Sequence, residues 1–219
     1  MTRKIILDVD TGSDDACAIM LAHLSKDIDL KAVCTVKGNQ PLKFTTENTL
    51  RIRDLLNADF PVYKGCEHAI IKDVVYPRIG TTNNVDAYDE NGNKIHIHTE
   101  LFDLPESKRG VEDKHASLFY VDYLMNAKEP ITVVMVGPVT NLAVALMIEP
   151  RIVEHIEEIV IMGGGKNITN CTLAAEFNIY DDPEAAQRVL QCGAKITMVP
   201  LDATHSAYID IDDAKALRD

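Results

Sequence analysis

Short runs of β-branched and apolar residues alternate with longer segments of helical period along most of this chain, and that alternation leaves few folds open. Candidate strands are Lys4–Val9, Leu30–Val36, Pro61–Tyr63, Ile131–Val136, Ile156–Ile161 and Lys195–Val199. Most are near-continuous apolar runs, the pattern of strands covered on both faces. Helical period falls between them, at about Asp14–Lys26, Lys43–Leu56, Lys114–Asn126, Val139–Ile148 and Pro183–Cys192. Pro183 suits the first turn of the last helix and Gly193 its stop. The pattern predicts an α/β fold: a Rossmann-like open, mostly parallel sheet with helices on both faces. In such folds ligands bind outside the carboxyl ends of the strands. The segments just after each strand are therefore where function is sought.

One stretch, Gly65 to Asp113, has no clear period and is rich in Asp, Asn and His. An irregular segment that long inside a compact domain reads as a functional insertion or lid. Neither an internal repeat nor a linker interrupts the 219 residues, so a single domain is expected. The formal net charge of −12 disfavours a polyanionic partner, and the absence of Trp makes base stacking along a nucleic acid a poor fit. A neutral or cationic small molecule suits the surface better. Five widely spaced cysteines without a C-x-x-C pair read as reduced thiols. With no signal-like or membrane-length apolar run, a soluble cytoplasmic protein with no membrane partner is expected.

The sharpest local signal is Ile6-Leu-Asp8-Val-Asp10-Thr-Gly12-Ser-Asp14-Asp15-Ala16. Four carboxylates stand within eight residues, where a buried strand gives way to a helix. Asp8 and Asp10 share one side of an extended strand by its period of two. Gly12 permits a turn that brings Asp14 and Asp15 back at the helix N-terminus. Helix capping and dipole complementation account for one of these acids. Four of them would repel one another unless protons or a cation compensated, and hard oxygen ligands suit Ca²⁺ or Mg²⁺. An Asp-x-Asp after a first strand also opens haloacid-dehalogenase-type phosphatases. Those require Thr or Val where Gly12 stands, and lack the doubled Asp14-Asp15.

These residues resemble the signature of the calcium-dependent nucleoside hydrolase family, Asp-x-Asp-x-Gly-x-Asp-Asp-Ala. The resemblance continues in order through Lys37-Gly-Asn39, Val136-Gly-Pro-Val-Thr-Asn-Leu-Ala143, Ile161-Met-Gly-Gly-Gly165 and Ala175-Glu-Phe-Asn-Ile-Tyr-Asp-Asp-Pro-Glu-Ala185. It implies the nucleoside hydrolase fold and hydrolysis of the N-glycosidic bond of ribonucleosides, as in purine and pyrimidine salvage. It implies that Asp10, Asp15 and the Val136 carbonyl bind Ca²⁺, and that Asp10 is the catalytic base acting on a calcium-held water. Asp14 and Asn39 would hold the ribose hydroxyls. Met162, Asn170, Glu176 and Asn178 would surround the 5′ side of the sugar. Taken singly, Asn39 reads as a turn residue and Met162 as core packing; for Glu176 and Asn178 a solvated loop before a helix is the plain alternative. The ordered set favours function for all four. Such cleavage passes through an oxocarbenium-like ribosyl cation, which carboxylates and amides around the ring stabilise.

The sequence departs from the family at His96-Ile-His98-Thr-Glu100-Leu-Phe102, where Ile97, Glu100 and Phe102 stand in place of glycines. His96 is the candidate contact to the nucleobase, and an exposed strand is an equal reading of His96 and His98. The family carries a His-Asp pair near its C-terminus, which this chain lacks after His205. The closing Ile209-Asp-Ile-Asp-Asp-Ala-Lys-Ala-Leu-Arg-Asp219 reads as a helix start without a stop signal. The 219 residues are therefore expected to be the larger, N-terminal part of a polypeptide that works as a homo-oligomer, dimer or tetramer. A ribose- or nucleoside-binding protein without catalysis is the alternative, and a haloacid-dehalogenase-type phosphatase a weaker one.

Overall fold

A computed structural model describes residues 2–72, 74, 87–88, 91–95, 98–208 and 211–218. The apolar runs form strands where the sequence predicts them: β1 (Arg3–Val9), β2 (Ile28–Thr35) and β3 (Val62–Lys64) come first. A two-stranded antiparallel hairpin, β4 (Ala87–Tyr88) and β5 (Lys94–Ile95), follows. Then come β6 (Ile131–Met135), β7 (Ile156–Met162) and β8 (Ile196–Val199). The helices are α1 (Ser13–Leu24), α2 (Leu42–Leu55), α3 (Ala116–Met125), α4 (Thr140–Ile148), α5 (Phe177–Asp181), α6 (Pro183–Leu190), α7 (Leu201–Thr204) and α8 (Ile211–Arg218). A 3₁₀ turn covers Pro150–His155. Pro183 does open α6, and Asp182 caps it, its carboxylate accepting the Ala185 N–H at 3.1 Å.

The main sheet runs β3-β2-β1-β6-β7-β8 with every pair parallel. Its strand order reverses between β1 and β6, the switch point at which doubly wound folds open a crevice for ligands. The period of two sorts side chains to the faces. Ile6, Ala32, Cys34, Val133, Met135 and Ile159 pack under α3, α4 and α6. Ile5, Leu7, Val9, Val33 and Val62 pack under α1 and α2. Each fully buried Ile or Leu here contributes ~1.5–3 kcal/mol of hydrophobic free energy.

Part of the aperiodic stretch is firmly placed. Residues 98–113 run as a strap along α2. Arg51 of α2 donates to the carbonyls of Phe102 (2.7 Å) and Leu104 (2.9 Å), and Arg53 to that of Arg109 (2.8 Å). Phe102, Leu104 and Val111 lean on the second core. The strap ends in a parallel bridge between Tyr63 and Glu112 at the sheet edge.

Candidate active site

The chain leaves β1 through Asp10-Thr11-Gly12 and enters α1 at once. Asp15, in the first turn of α1, reaches back to that turn. Its Oδ2 accepts the Gly12 N–H at 2.9 Å and its Oδ1 the Asp10 N–H at 3.3 Å. From the exit of β2, the Asn39 N–H donates to Asp10 Oδ2 at 2.7 Å and the Asn39 amide to Asp15 Oδ2 at 3.3 Å. Two glycines let neighbouring loops close on Asp10. A Cβ at Gly38 would fall 2.1 Å from Oδ2, and one at Gly137, after β6, 2.6 Å from Oδ1.

Asp10 and Asp15 are almost fully buried, at 1% and 3% exposure, and the electrostatics follow from that. Burial pushes the Asp10 carboxyl well above its ordinary range, and the neighbouring Asp15 charge pushes it further. Burial, then the Asp14 charge, raises Asp15 to about 7. Such a pair is stable when ionised only if positive charge stands beside it.

The four carboxylates expected to converge divide instead into three settings. Asp8 turns with Ile6 toward the α3–α4 layer, where the Tyr120 hydroxyl (2.9 Å) and the Asn141 amide (3.1 Å) donate to it. Burial lifts it to about 7, against the pull of those two donors. Asn141 also donates to the Thr35 carbonyl and accepts the Cys66 N–H, so this cluster braces the exits of β1, β2 and β3. Asp14 is exposed on the first turn of α1. Asp10 and Asp15 share hydrogen-bond partners, and Asp14 stands near enough for its charge to act on both.

Across the crevice, the buried Asn178 amide donates to the carbonyls of Val136 (2.9 Å) and Met162 (3.1 Å) and contacts Met162 Sδ at 3.3 Å. Glu176 is buried and caps α5. It accepts the N–H groups of Asn178 (2.9 Å), Ile179 (3.2 Å) and Gly164 (2.9 Å). Asn170 lies exposed, its carbonyl oxygen accepting the Phe177 N–H at 2.9 Å. Val136, Met162, Glu176 and Asn178 thus share one hydrogen-bonded unit, with Asn170 at its rim. His96 lies outside the described residues.

Several side chains that the sequence did not single out support this arrangement. Asp181, 1% exposed, accepts Lys37 (2.6 Å) and Lys72 (3.0 Å) on one oxygen, tying the exit of β2 to α5. Lys37 stands two residues before Asn39, and Asp181 three after Asn178. Asn48, fully buried on α2, joins the Thr11 carbonyl to the strap. A polar residue inside a buried helical face, such as Asn48 or Asn141, is the signal that could have found them. Lys72, in an aperiodic stretch, offers none.

Among the described residues, no three His, Cys, Asp or Glu side chains gather to hold a metal ion. The donor chemistry nonetheless fits a hard cation: two buried carboxylates meet at the exit of β1, and the Val136 carbonyl lies at the exit of the neighbouring β6. No described helix is long and apolar enough to cross a membrane.

The inosine-uridine preferring nucleoside hydrolase family matches residues 5–219. The chain is 39% identical to the inosine-uridine preferring nucleoside hydrolase of Leishmania major over 212 residues, covering 94% of this chain and 63% of that protein. It is 39% identical to the pyrimidine-specific ribonucleoside hydrolase RihA of Escherichia fergusonii, covering all of this chain and 66% of that one. Among solved structures, the purine-preferring ribonucleoside hydrolase from Gardnerella vaginalis superposes with a TM-score of 0.85 at 34% identity. That match covers 99% of this chain and 66% of the other. The chain therefore spans a little under two thirds of the length of these relatives.

Proposed function

Because this chain belongs to the inosine-uridine preferring nucleoside hydrolase family, we propose that it hydrolyses the N-glycosidic bond of ribonucleosides to ribose and free nucleobase. The observation that carries the reading is the buried Asp10–Asp15 pair, joined to Asn39 at the switch point of the sheet. The family membership sets aside the phosphatase alternative.

The residues then take these parts. Asp10, Asp15 and the Val136 carbonyl would hold Ca²⁺. When bound, the cation supplies the charge that keeps both carboxylates ionised and makes a nearby water easier to deprotonate. Asp10 is the general base. Asn39 occupies its Oδ2, so Oδ1, on the Gly137 side, is the oxygen that takes the proton. Asp14 and Asn39 orient the ribose hydroxyls. Asn178 has its amide protons committed to two carbonyls, which leaves its Oδ1 for a hydroxyl on the 5′ side of the sugar. Met162, Asn170 and Glu176 complete that side, with Glu176 contributing negative charge toward the ribosyl cation. His96 is assigned to the nucleobase on sequence alone. The net charge of −12 suits a neutral nucleoside and the free cysteines suit a cytoplasmic location; the homo-oligomeric state and the role in nucleoside salvage rest on the family resemblance.

The relatives' names point to inosine and uridine, to pyrimidines and to purines, so the test is a panel of both base classes. Incubating the full-length protein with inosine, adenosine, guanosine, uridine and cytidine in calcium should release ribose and base in equal amounts from at least one. Tight binding without release from any of them would support the binding-protein reading instead.

A further inference from the structure

We propose that Lys37 and Asp181 are positioning residues of this site, whose ion pair fixes the span between the diol end and the 5′ end of a bound ribose; this rests on the nucleoside reading above. Lys37 Nζ donates to Asp181 Oδ1 at 2.6 Å, and Lys72 Nζ shares that oxygen at 3.0 Å. Asp181 and Lys72 are almost fully buried and Lys37 is half-buried, so salt and water screen the group little. Charge-assisted hydrogen bonds of this kind are about twice as strong as neutral ones.

Each partner stands a short, stiff step from a sugar contact. Gly38 follows Lys37 and lies so close to Asp10 that a Cβ on it would fall 2.1 Å from Oδ2. Asn39 comes next, its N–H on that same oxygen at 2.7 Å, and the Gly38 N–H closes the turn on the Gln40 carbonyl at 3.2 Å. The backbone between Lys37 and the diol end therefore has no slack. On the other side, Asn178 and Asp181 stand three residues apart on α5, which puts them on one helical face. A helix of five residues is not stable alone, so α5 sits where its contacts hold it. Its far end is anchored by Asp182, which accepts the Ile70 N–H at 2.9 Å and the Thr140 hydroxyl at 2.7 Å.

The sheet fixes the strand exits, but the loop of Asn39 and the helix of Asn178 extend beyond them. Asn39 bonds to the turn between β1 and α1, and Asn178 to the exits of β6 and β7. The Lys37–Asp181 contact joins the loop directly to the helix. A ribose engaged at both ends feels the separation of these two elements, whereas a sugar without its 5′ hydroxyl is held at one end and does not. Misplacing a reacting group by ~1 Å can cost on the order of 10²-fold in rate, so a modest change in the span is measurable.

The test compares the best nucleoside of the panel with its 5′-deoxy analogue, using the full-length parent, Lys37→Met and Lys37→Arg. Binding of ribose and of 5-deoxyribose by calorimetry serves as the readout independent of turnover. Lys37→Met keeps the aliphatic stem and leaves Asp181 paired with Lys72, so the fold should hold. Its kcat/KM on the nucleoside and its ribose affinity should each fall about tenfold, and those for the 5′-deoxy compounds less than about twofold. Lys37→Arg, which restores the ion pair, should recover most of the loss. Lys37→Gln carries the test, with the same expectation, if the methionine variant does not fold. An equal loss on both sugars, no loss on either, or no recovery by arginine would overturn the proposal while leaving the nucleoside reading intact. A parent that neither cleaves any nucleoside nor binds ribose would overturn both.

Discussion

Two carboxylates buried at one strand end repel each other unless something compensates, and Asp10 and Asp15 stand in that relation. Replacing Asp10 by Asn keeps its shape and its acceptor for the Asn39 N–H but removes one buried charge. In chelator, the Asp10→Asn protein should melt at or above the temperature of the parent, and calcium should no longer raise it; a large drop in chelator would show the pair to be self-supporting. Asn178→Ala should behave differently. It strips the amide from the Val136 and Met162 carbonyls, costing ~1–3 kcal/mol of stability, and should lower kcat/KM by a graded ~10–100-fold, measured by steady-state kinetics. At this scale the sequence was legible where neighbours in the chain decide. Gly12 and the helix start bring Asp15 back to Asp10, and spacing alone predicts it. Asp8 was not legible in the same way. Its setting is decided by Tyr120 and Asn141, more than a hundred residues away, and nothing beside Asp8 announces them.

The elements differ in how their positions are enforced. The exit of β2 and helix α5 face each other across the crevice, and the Lys37–Asp181–Lys72 group holds them together from below. Removing the shared carboxylate leaves two ammonium groups around an empty place, one of them on the buried Lys72. Asp181→Ala should therefore destabilise the protein by ~3–5 kcal/mol, read as a lower urea midpoint at unchanged slope. A change under 1 kcal/mol would mean that the lysines find water or other partners. The six sheet strands and the helices α1, α2, α3, α4 and α6 were readable because apolar period and length agree in each. Helix α5 was not, since its five residues carry too little period. It exists because Glu176 caps one end and Asp182 opens α6 at the other. Glu176 and Asn178 consequently leave the loop that their polarity suggests and become fixed, buried groups. The strap was legible only as an aperiodic stretch, because what orders residues 98–113 is a set of contacts to α2.

For the molecule as a whole, the parallel sheet with its reversal at β1 and β6 places the strand exits bearing Asp10, Asn39 and Val136 around one crevice. The two apolar layers stay apolar while most of the buried carboxylates gather at that end and at the Asp8 brace beneath it. The topology was predictable from the alternation of elements; the partition of carboxylates between brace and site came only from packing. A cation bound to the folded state alone stabilises it by mass action. Calcium at a hundredfold excess over its dissociation constant should add ~2.7 kcal/mol, or about 5–10 °C in Tm by calorimetry. If the Asp10–Asp15 pair is a cation-dependent centre for cleaving ribonucleosides, turnover needs both the carboxylate and the cation. Ribose release by the full-length protein, parent against Asp10→Asn, measures this with the best nucleoside of the panel at saturating calcium. Turnover in the parent should be abolished by chelator, and kcat should fall at least ~10³-fold in a variant whose circular dichroism is unchanged. Turnover by Asp10→Asn within a few fold of the parent would contradict it.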